Sequence, residues 1–246
     1  TLIGKQCFYS CTSLEQITLP NSVTAIGDSA FENCARLTEI TIPDSVESIG
    51  NRAFCFCSSL TKATIPDSVK TIGDEVFNST PLSEIIMPDS ITSVGRGAFY
   101  ICNWLKNATI SDSVTSMGYE AFYECTSLEK VTLSKNLKSI EKKTFEGCKS
   151  LKSITIPGTL TTLSDAAFRN CEKMTYAYIP ETVTSIADNA FENCYFLVIN
   201  APKGSYAIDY AKEHGIKYVE IEYTEDNGSF EGKIDNDVIY IIKGDE

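Results

Sequence analysis

The stretch FENCARLTEITIPDSVESIGNRAF, residues 31–54, opens and closes on phenylalanine in the same setting, Ala30-Phe31 and Ala53-Phe54. Its recurrence decides the fold. Phenylalanine returns at Phe8, Phe31, Phe54, Phe77, Phe99, Phe122, Phe145, Phe168 and Phe191, always at 23 residues except for one step of 22 between Phe77 and Phe99. Three positions on stand Cys11, Cys34, Cys57, Thr80, Cys102, Cys125, Cys148, Cys171 and Cys194, so eight of the ten cysteines occupy one place in a unit. A strict period of this size is the signature of a solenoid, in which no unit buries its apolar face alone and stacked neighbours share one core.

The other apolar positions keep the same register. Leu14, Leu37, Leu60, Leu105, Leu128, Leu151, Met174 and Leu197 follow six residues after the phenylalanines, and pairs such as Ile40 and Ile42 or Ile154 and Ile156 come next. Apolar and polar residues alternate there, which predicts a strand with one buried face. Proline closes that strand at Pro20, Pro43, Pro66, Pro88, Pro157 and Pro180, because it has no amide to continue a ladder. Val23 and Ile26, Val46 and Ile49, and Val69 and Ile72 predict a second short strand. In IGDSAFENC, residues 26–34, Asp28 is placed to cap one or two helical turns that turn Ala30, Phe31 and Cys34 inward. Main strands pairing in parallel at roughly 4.8 Å would stack about eight rungs into a curved slab about 40 Å long.

The recurring L-x-x-I-T-I-P-x-S-V-x-x-I-G-x-x-A-F-x-x-C closely resembles the BspA-like, or Treponema pallidum type, leucine-rich repeat of bacterial surface proteins. The resemblance implies an α/β repeat fold: a right-handed leucine-rich-repeat solenoid with a parallel β-sheet on its concave face and short helical turns on the other side. It spans an array over residues 1–200, of about nine units with the first incomplete. KGSYAIDYAKEHGIKYVEI, residues 203–221, looks like the terminal cap of such arrays: a helix from about Ser205 to His214, stopped by Gly215, then a strand, together spanning residues 201–222. Tyr206, Ile208, Tyr210 and Ala211 are expected to lean on the last rung. Residues 223–246 form an acidic, β-rich tail or a linker to a further domain, with a strand over Val238–Ile242 expected to pair near Tyr218–Tyr223.

Composition bounds the function. Net charge is -12, and the last 27 residues, from Glu220, hold nine acids and two lysines. Nucleic acid is not an expected partner, since counterion release needs a basic surface. No run of 18 apolar residues and no signal peptide is present. Ile3 and Phe8 correspond to Ile26 and Phe31, so the chain starts within a unit, as a fragment of a longer protein would. Surface or secreted location is therefore what the resemblance implies. Ten cysteines suggest a disulfide framework, but eight share an inward position where Cys behaves as a small buried hydrophobe. Free thiols are expected, with Cys7 in the core and Cys55 the most accessible.

No cofactor and no catalytic or metal site is expected. His214 is the single histidine, at the end of the cap helix where a cation suits the dipole. Cys55 and Cys57 lack further ligands for zinc. Calcium at Asp226-Asn227-Gly228 and Asp235-Asn236-Asp237 is the weaker option, since neither follows the EF-hand order.

Recognition is better provided for, because solenoids bind on extended faces. A row of threonines lines the open side of the main strands, and β-branched residues suit that setting without any ligand. Its departures single out candidate ligand-binding residues: Ile86 beside Thr109, and Tyr176 with Tyr178. Trp104 and Phe196 stand where other units carry Ser13, Ser59, Ser127 and Ser150, and Tyr9, Tyr100 and Tyr123 follow their core phenylalanines. The shortened unit FNSTPLSEIIMP, residues 77–88, reads as drift in a tolerant repeat, with Thr80-Pro81 placed to bend the array. The expectation is a non-enzymatic adhesion or protein-binding module for extracellular host or bacterial proteins, with glycans as a second ligand class. A passive spacer for another domain is the alternative.

Overall fold

The computed structural model describes residues 1–223, 230–234 and 237–241. It is a parallel-strand solenoid of the leucine-rich-repeat kind. Main strands at Glu39–Thr41, Lys62–Thr64, Glu84–Ile86, Asn107–Thr109, Lys130–Thr132, Ser153–Thr155 and Tyr176–Tyr178 follow one another in register, each with its central residue turned inward. A second ladder of two-residue strands runs from Leu2–Ile3 through Ala25–Ile26 to Ser116–Met117.

The core is a set of columns rather than a cluster. Phe8 to Phe191 form a continuous stack with ring centroids 4.9 to 5.7 Å apart and planes within 14° of parallel. The stacked rings from Phe31 to Phe168 are fully buried. Offset stacking of aromatic rings at such distances adds to their burial.

Polar residues of the repeat explain the rung spacing. The Ser of the P-x-S-V word donates to the valine carbonyl of the rung before it: Ser45 to Val23, Ser68 to Val46 and Ser90 to Val69, each at 2.6 Å. Where Asn136 replaces that serine, Ser134 stands in the proline position and makes the same bond, to Val114 at 2.6 Å. Thr159 does so for Leu137 at 2.7 Å.

The segment around each phenylalanine is compact, as expected, but it is made of turns rather than helix. In the units from Phe8 to Phe168 the second residue before and the second residue after the phenylalanine have positive φ, for example Ser29 (52°) and Asn33 (61°); in the Phe191 unit only Asn193 does. The alternation aims every second amide along the array. Ser29, Phe31 and Asn33 donate to the carbonyls of Asn51, Ala53 and Cys55, each at 2.8 Å, while Ala30, Glu32 and Cys34 bond within their own rung. Left-handed backbone costs about 1–2 kcal/mol per non-glycine residue, and these inter-rung bonds offset it. Asp28 is not a helix cap. Its Oδ1 accepts the amide of Asn51, one rung on, at 2.9 Å.

Glycine after the second strand is a close-approach residue. A Cβ on Gly95 would come within 2.5 Å of Gly73 backbone, and one on Gly118 within 2.5 Å of the Arg96 amide. Glu141 is the first residue with a side chain at this position, and the two-residue ladder ends just before it, at Met117. Pairing resumes at Ile140 with Leu163, beyond which Ser164 and Ala187 occupy the glycine place.

At the C-terminal end, strand Val198–Pro202 pairs with Tyr176–Tyr178 and, in parallel, with Lys217–Tyr223; the helix Tyr206–Glu213 crosses between them. Ala207, Ile208, Tyr210 and Ala211 face the array, whereas Tyr206, expected to do so, is 45% exposed because it lies just after the Ser205 N-cap and points away. Gly215 follows at φ 65°. Strand Asp237–Ile241 pairs antiparallel with Phe230–Ile234 and not with Lys217–Tyr223, whose free edge Phe230–Ile234 occupies. Of the two stretches considered for calcium, residues 226–228 and 235–236 lie outside the described residues.

Phe54→Ala is expected to lower stability by roughly 3–5 kcal/mol in urea unfolding, since no buried group can fill the gap in the stack. Gly95→Ala should destabilise where Ala187→Gly does not, because the added Cβ meets backbone that cannot rotate away; paired thermal melts measure the difference.

Candidate functional site

The structure places Ile86 and Thr109 side by side on neighbouring main strands, and Tyr178 on the same row beside Thr155. Ile86 is 66% exposed, while Tyr176 and Tyr178 are half-buried. Burial raises the Tyr176 hydroxyl above its ordinary pKa, so it stays a neutral donor.

The shortened unit interrupts the main-strand ladder. At the other junctions from Thr38 onward, the residue ahead of the main strand donates to the rung before it: Thr61 to Thr38 (3.0 Å), Lys106 to Ser83 (2.9 Å), Glu129 to Lys106 (2.9 Å) and Lys152 to Glu129 (3.3 Å). Between Lys62–Thr64 and Glu84–Ile86 there is no backbone bond at all. The same two rungs remain joined elsewhere, through Phe54 N to Val76 O (2.9 Å) and through Thr71–Ile72 with Ser93–Val94 in the next pair. They therefore part on the main-strand side only. The resulting groove, about 590 Å³, is lined by Lys62, Ala63, Thr64, Ile65, Ser83, Glu84, Ile86 and Pro88. Its cause is local. Leu82 follows Phe77 by five residues where other units use six, and Pro81 has no amide to offer.

Phe196 belongs to a second site. Tyr210 of the cap helix ends the phenylalanine stack, tilted 60° against Phe191 at 6.3 Å, and its hydroxyl donates to the Asp188 carbonyl at 3.2 Å. The tilt leaves a cleft of about 510 Å³ between the last rung and the cap, lined by Asp188, Glu192, Cys194, Tyr195, Phe196, His214 and Ile216 among others. Tyr195 and Phe196 form its rim, 72% and 69% exposed. Tyr195 was not among the expected site residues, although its place in the unit carries Thr12, Ser58, Asn103 and Thr126 elsewhere, so the departure was legible.

Cys194 and His214 share this cleft without forming a nucleophilic pair. The Cys194 thiol donates to Phe168 O at 3.2 Å, and His214 Nδ1 lies 2.9 Å from Tyr210 O while its ring stacks on Tyr210 at 4.1 Å. Both are engaged with main-chain carbonyls. Trp104, 69% exposed, occupies the same place in its unit as Phe196, but three units lie between theirs, so the two do not share a site. Tyr100 and Tyr123 stack on each other at 4.8 Å, with the Lys143 ammonium 5.7 Å from the Tyr123 ring centroid. Ion pairs staple the same side: Glu32 to Arg52 (2.7 Å), Arg52 to Glu75 (2.6 Å) and Glu75 to Arg96 (2.7 Å). The hydrogen-bonded Arg52 guanidinium holds Glu32 below its ordinary pKa. Among the described residues, no group of three or more His, Cys, Asp or Glu is arranged to hold a metal ion, and no helix is long and apolar enough to cross a membrane.

The repeated cysteines have a structural task. Cys34, Cys57, Cys102, Cys125, Cys148 and Cys171 donate their thiols to the phenylalanine carbonyl of the preceding rung, at 3.0 to 3.3 Å. All ten cysteines are free. Two expectations are reversed. Cys7 is exposed in this structure, and Cys55 is fully buried beside Arg52. Burial pushes the Cys34 thiol up to about 11 and those of Cys55 and Cys57 to about 12.

A family model described as the BspA type leucine rich repeat region, in six copies, matches residues 1–106 and 92–211, and the chain belongs to this family. Similar solved structures include a leucine-rich repeat protein of Treponema pallidum, at 29% identity over 65% of this chain and 75% of that one, TM-score 0.58. Another, from Eubacterium ventriosum, is 26% identical over 74% of this chain and 58% of that one, TM-score 0.52. A leucine rich cell surface protein of Faecalibacterium prausnitzii shares 30% identity over 84% of this chain and 70% of that one, TM-score 0.45. No curated protein sequence matches.

In the folded 246-residue chain at pH 8, a disulfide-exchange reagent should label Cys7 rapidly and the buried column only on unfolding. The raised thiol pKa values carry a sign: folding favours the protonated thiol. That stability is complete below the ordinary value of 9 and is lost as pH rises toward about 12 for Cys57. Urea midpoints measured between pH 8 and 11 should therefore fall as pH rises.

Proposed function

We propose that the chain is a non-enzymatic recognition module of a bacterial cell-surface or secreted protein, binding extracellular proteins of a host or of other bacteria. One observation carries this reading: Tyr195 and Phe196, adjacent and about 70% exposed, rim a cleft on a scaffold that otherwise buries its large apolar columns. Aromatic side chains are enriched among residues that dominate binding energy, and exposing two together in water has a cost that a partner removes. The backbone beneath them is fixed, Cys194 N bonding Phe191 O and Leu197 N bonding Cys194 O, each at 3.1 Å, so little main-chain ordering opposes association. Membership of the BspA type family and the likeness to a Faecalibacterium prausnitzii cell surface protein support the location. Glycans are the second ligand class, favoured by Tyr176 and Tyr178 on one face of a single strand.

A screen of the protein against arrays of extracellular proteins and glycans tests this, run beside Tyr195→Ala/Phe196→Ala and Tyr176→Ala/Tyr178→Ala variants. A protein ligand should lose at least about tenfold in affinity, or 1.4 kcal/mol, in the first variant with its melting temperature unchanged. A ligand weakened only by the second variant would move recognition to the main-strand face. Absence of any ligand would favour a spacer role.

A further inference from the structure

We propose that the groove at the shortened unit is a docking site for an extended peptide segment of a partner protein, which adds as a strand to the edge of Glu84–Ile86. This surface is separate from the cap cleft, and either can fail without the other.

The inference starts from main-chain groups without partners. In a parallel ladder, alternate residues of a strand send their amide and carbonyl to opposite neighbours. Met87 N donates to Thr109 O at 3.1 Å and Ile86 pairs with Thr109, so Ile85 and Met87 face the later rung. Glu84 and Ile86 therefore turn their amides and carbonyls toward the groove. On the opposite wall, Lys62–Thr64 pairs with Glu39–Thr41 in the register that Asn107–Thr109 keeps with Glu84–Ile86; there Thr109 turns to the earlier rung, so Lys62 and Thr64 do likewise and the amide and carbonyl of Ala63 face the groove. No backbone bond joins these groups.

Solvent reaches them. Ala63 is half-buried, whereas Ile40, Ile85 and Ala108 in its column are 2% exposed.

The pattern of these groups identifies the guest. Donors and acceptors alternating at a two-residue spacing along an open edge match another extended backbone, which is how strand addition achieves affinity. A saccharide or an ion does not reproduce that spacing. The side chains agree: Ile86 offers an apolar contact in a row that is otherwise threonine from Thr41 to Thr155, with Pro88 near its end. Charge at the walls is mixed, Lys62 with Asp67 and Glu84, so the groove disfavours a strongly acidic peptide. Exposed edges invite uncontrolled pairing. Here the edge spans three residues and lies recessed between two rungs, which admits one strand and excludes a second sheet.

The position of the open edge permits a clean test. The Ile86 amide makes no bond in the sheet, so Ile86→Pro removes a groove-facing donor without removing a ladder bond. Its φ requirement is compatible with extended backbone. A second variant inserts one residue between Thr80 and Pro81, restoring the 23-residue spacing and closing the groove. The probe is a capped heptapeptide of alternating valine and threonine with lysine at each end, titrated into the full chain by heteronuclear NMR with amide exchange.

In the free protein, the amides of Ala63, Glu84 and Ile86 should exchange at least tenfold faster than those of Ile85 and Thr109. The peptide should slow exchange at Glu84 and Ile86. Its affinity should fall at least about tenfold in Ile86→Pro, one hydrogen bond's worth at the upper end, and vanish in the insertion variant. If Ile86→Pro does not fold, the insertion variant decides alone. Equal protection of Ala63, Glu84, Ile86 and Ile85 in the free protein would overturn the proposal. So would a flat titration to millimolar peptide, or binding that survives the insertion.

Discussion

The phenylalanine carbonyl is the atom on which the array depends. It takes one bond from the amide three residues on, as Cys57 N gives to Phe54 O at 3.3 Å, and a second from the thiol of the following rung, as Cys57 Sγ gives to Phe31 O at 3.1 Å. Two acceptor sites are thereby satisfied inside an apolar column, where an unmade bond would be costly. The donor must be short, protonated and nearly apolar. Cysteine meets these demands, and burial keeps its proton in place. Serine does the corresponding work at the second ladder, bonding the valine carbonyl of the preceding rung. Because both bonds run to the adjacent rung, the register of one unit is imposed on the next.

Departures from the repeat divide by whether a neighbouring residue compensates for them. Ser134 takes over the bond that Asn136 cannot make in the serine position. Thr80, in the cysteine place, turns its hydroxyl back to its own Phe77 carbonyl at 2.7 Å. It thereby gives up the thiol bond that other rungs make to their predecessor. The shortened connection has no such remedy, and rungs that stay joined at the phenylalanine side part at the main strands. A single missing residue thus acts at one edge of the cross-section and leaves the other two intact.

The two candidate surfaces arise in the same way. Each sits where translation symmetry fails: one inside the array at the short unit, the other at its end, where a tilted tyrosine replaces the next phenylalanine. Elsewhere backbone bonds hold successive rungs together on the main-strand side, as Lys152 N to Glu129 O at 3.3 Å does where Lys130–Thr132 and Ser153–Thr155 are not paired as a sheet. A solenoid with these bonds is most open to a ligand where its period breaks.

The sequence by itself determined the period, the column each residue occupies, the identity of the inward strand positions and the place of the cap helix. These follow because a solenoid is quasi-one-dimensional, so distance along the chain is distance in space. It also marked Ile86 and Phe196 as departures. Only the tertiary structure decided what those departures do. The turns around each phenylalanine look helical by apolar spacing, yet their amides are drawn to the adjacent rung, a bond that no single unit contains. Cys7 and Cys55 exchange their expected environments because exposure depends on neighbours across the rung and not on position within it. The groove beside Ile86 exists because one shortened loop leaves the main strands unpaired while the second ladder and the turns hold. That outcome is a contest between bonds on three sides of one cross-section, and it is settled in space rather than along the chain.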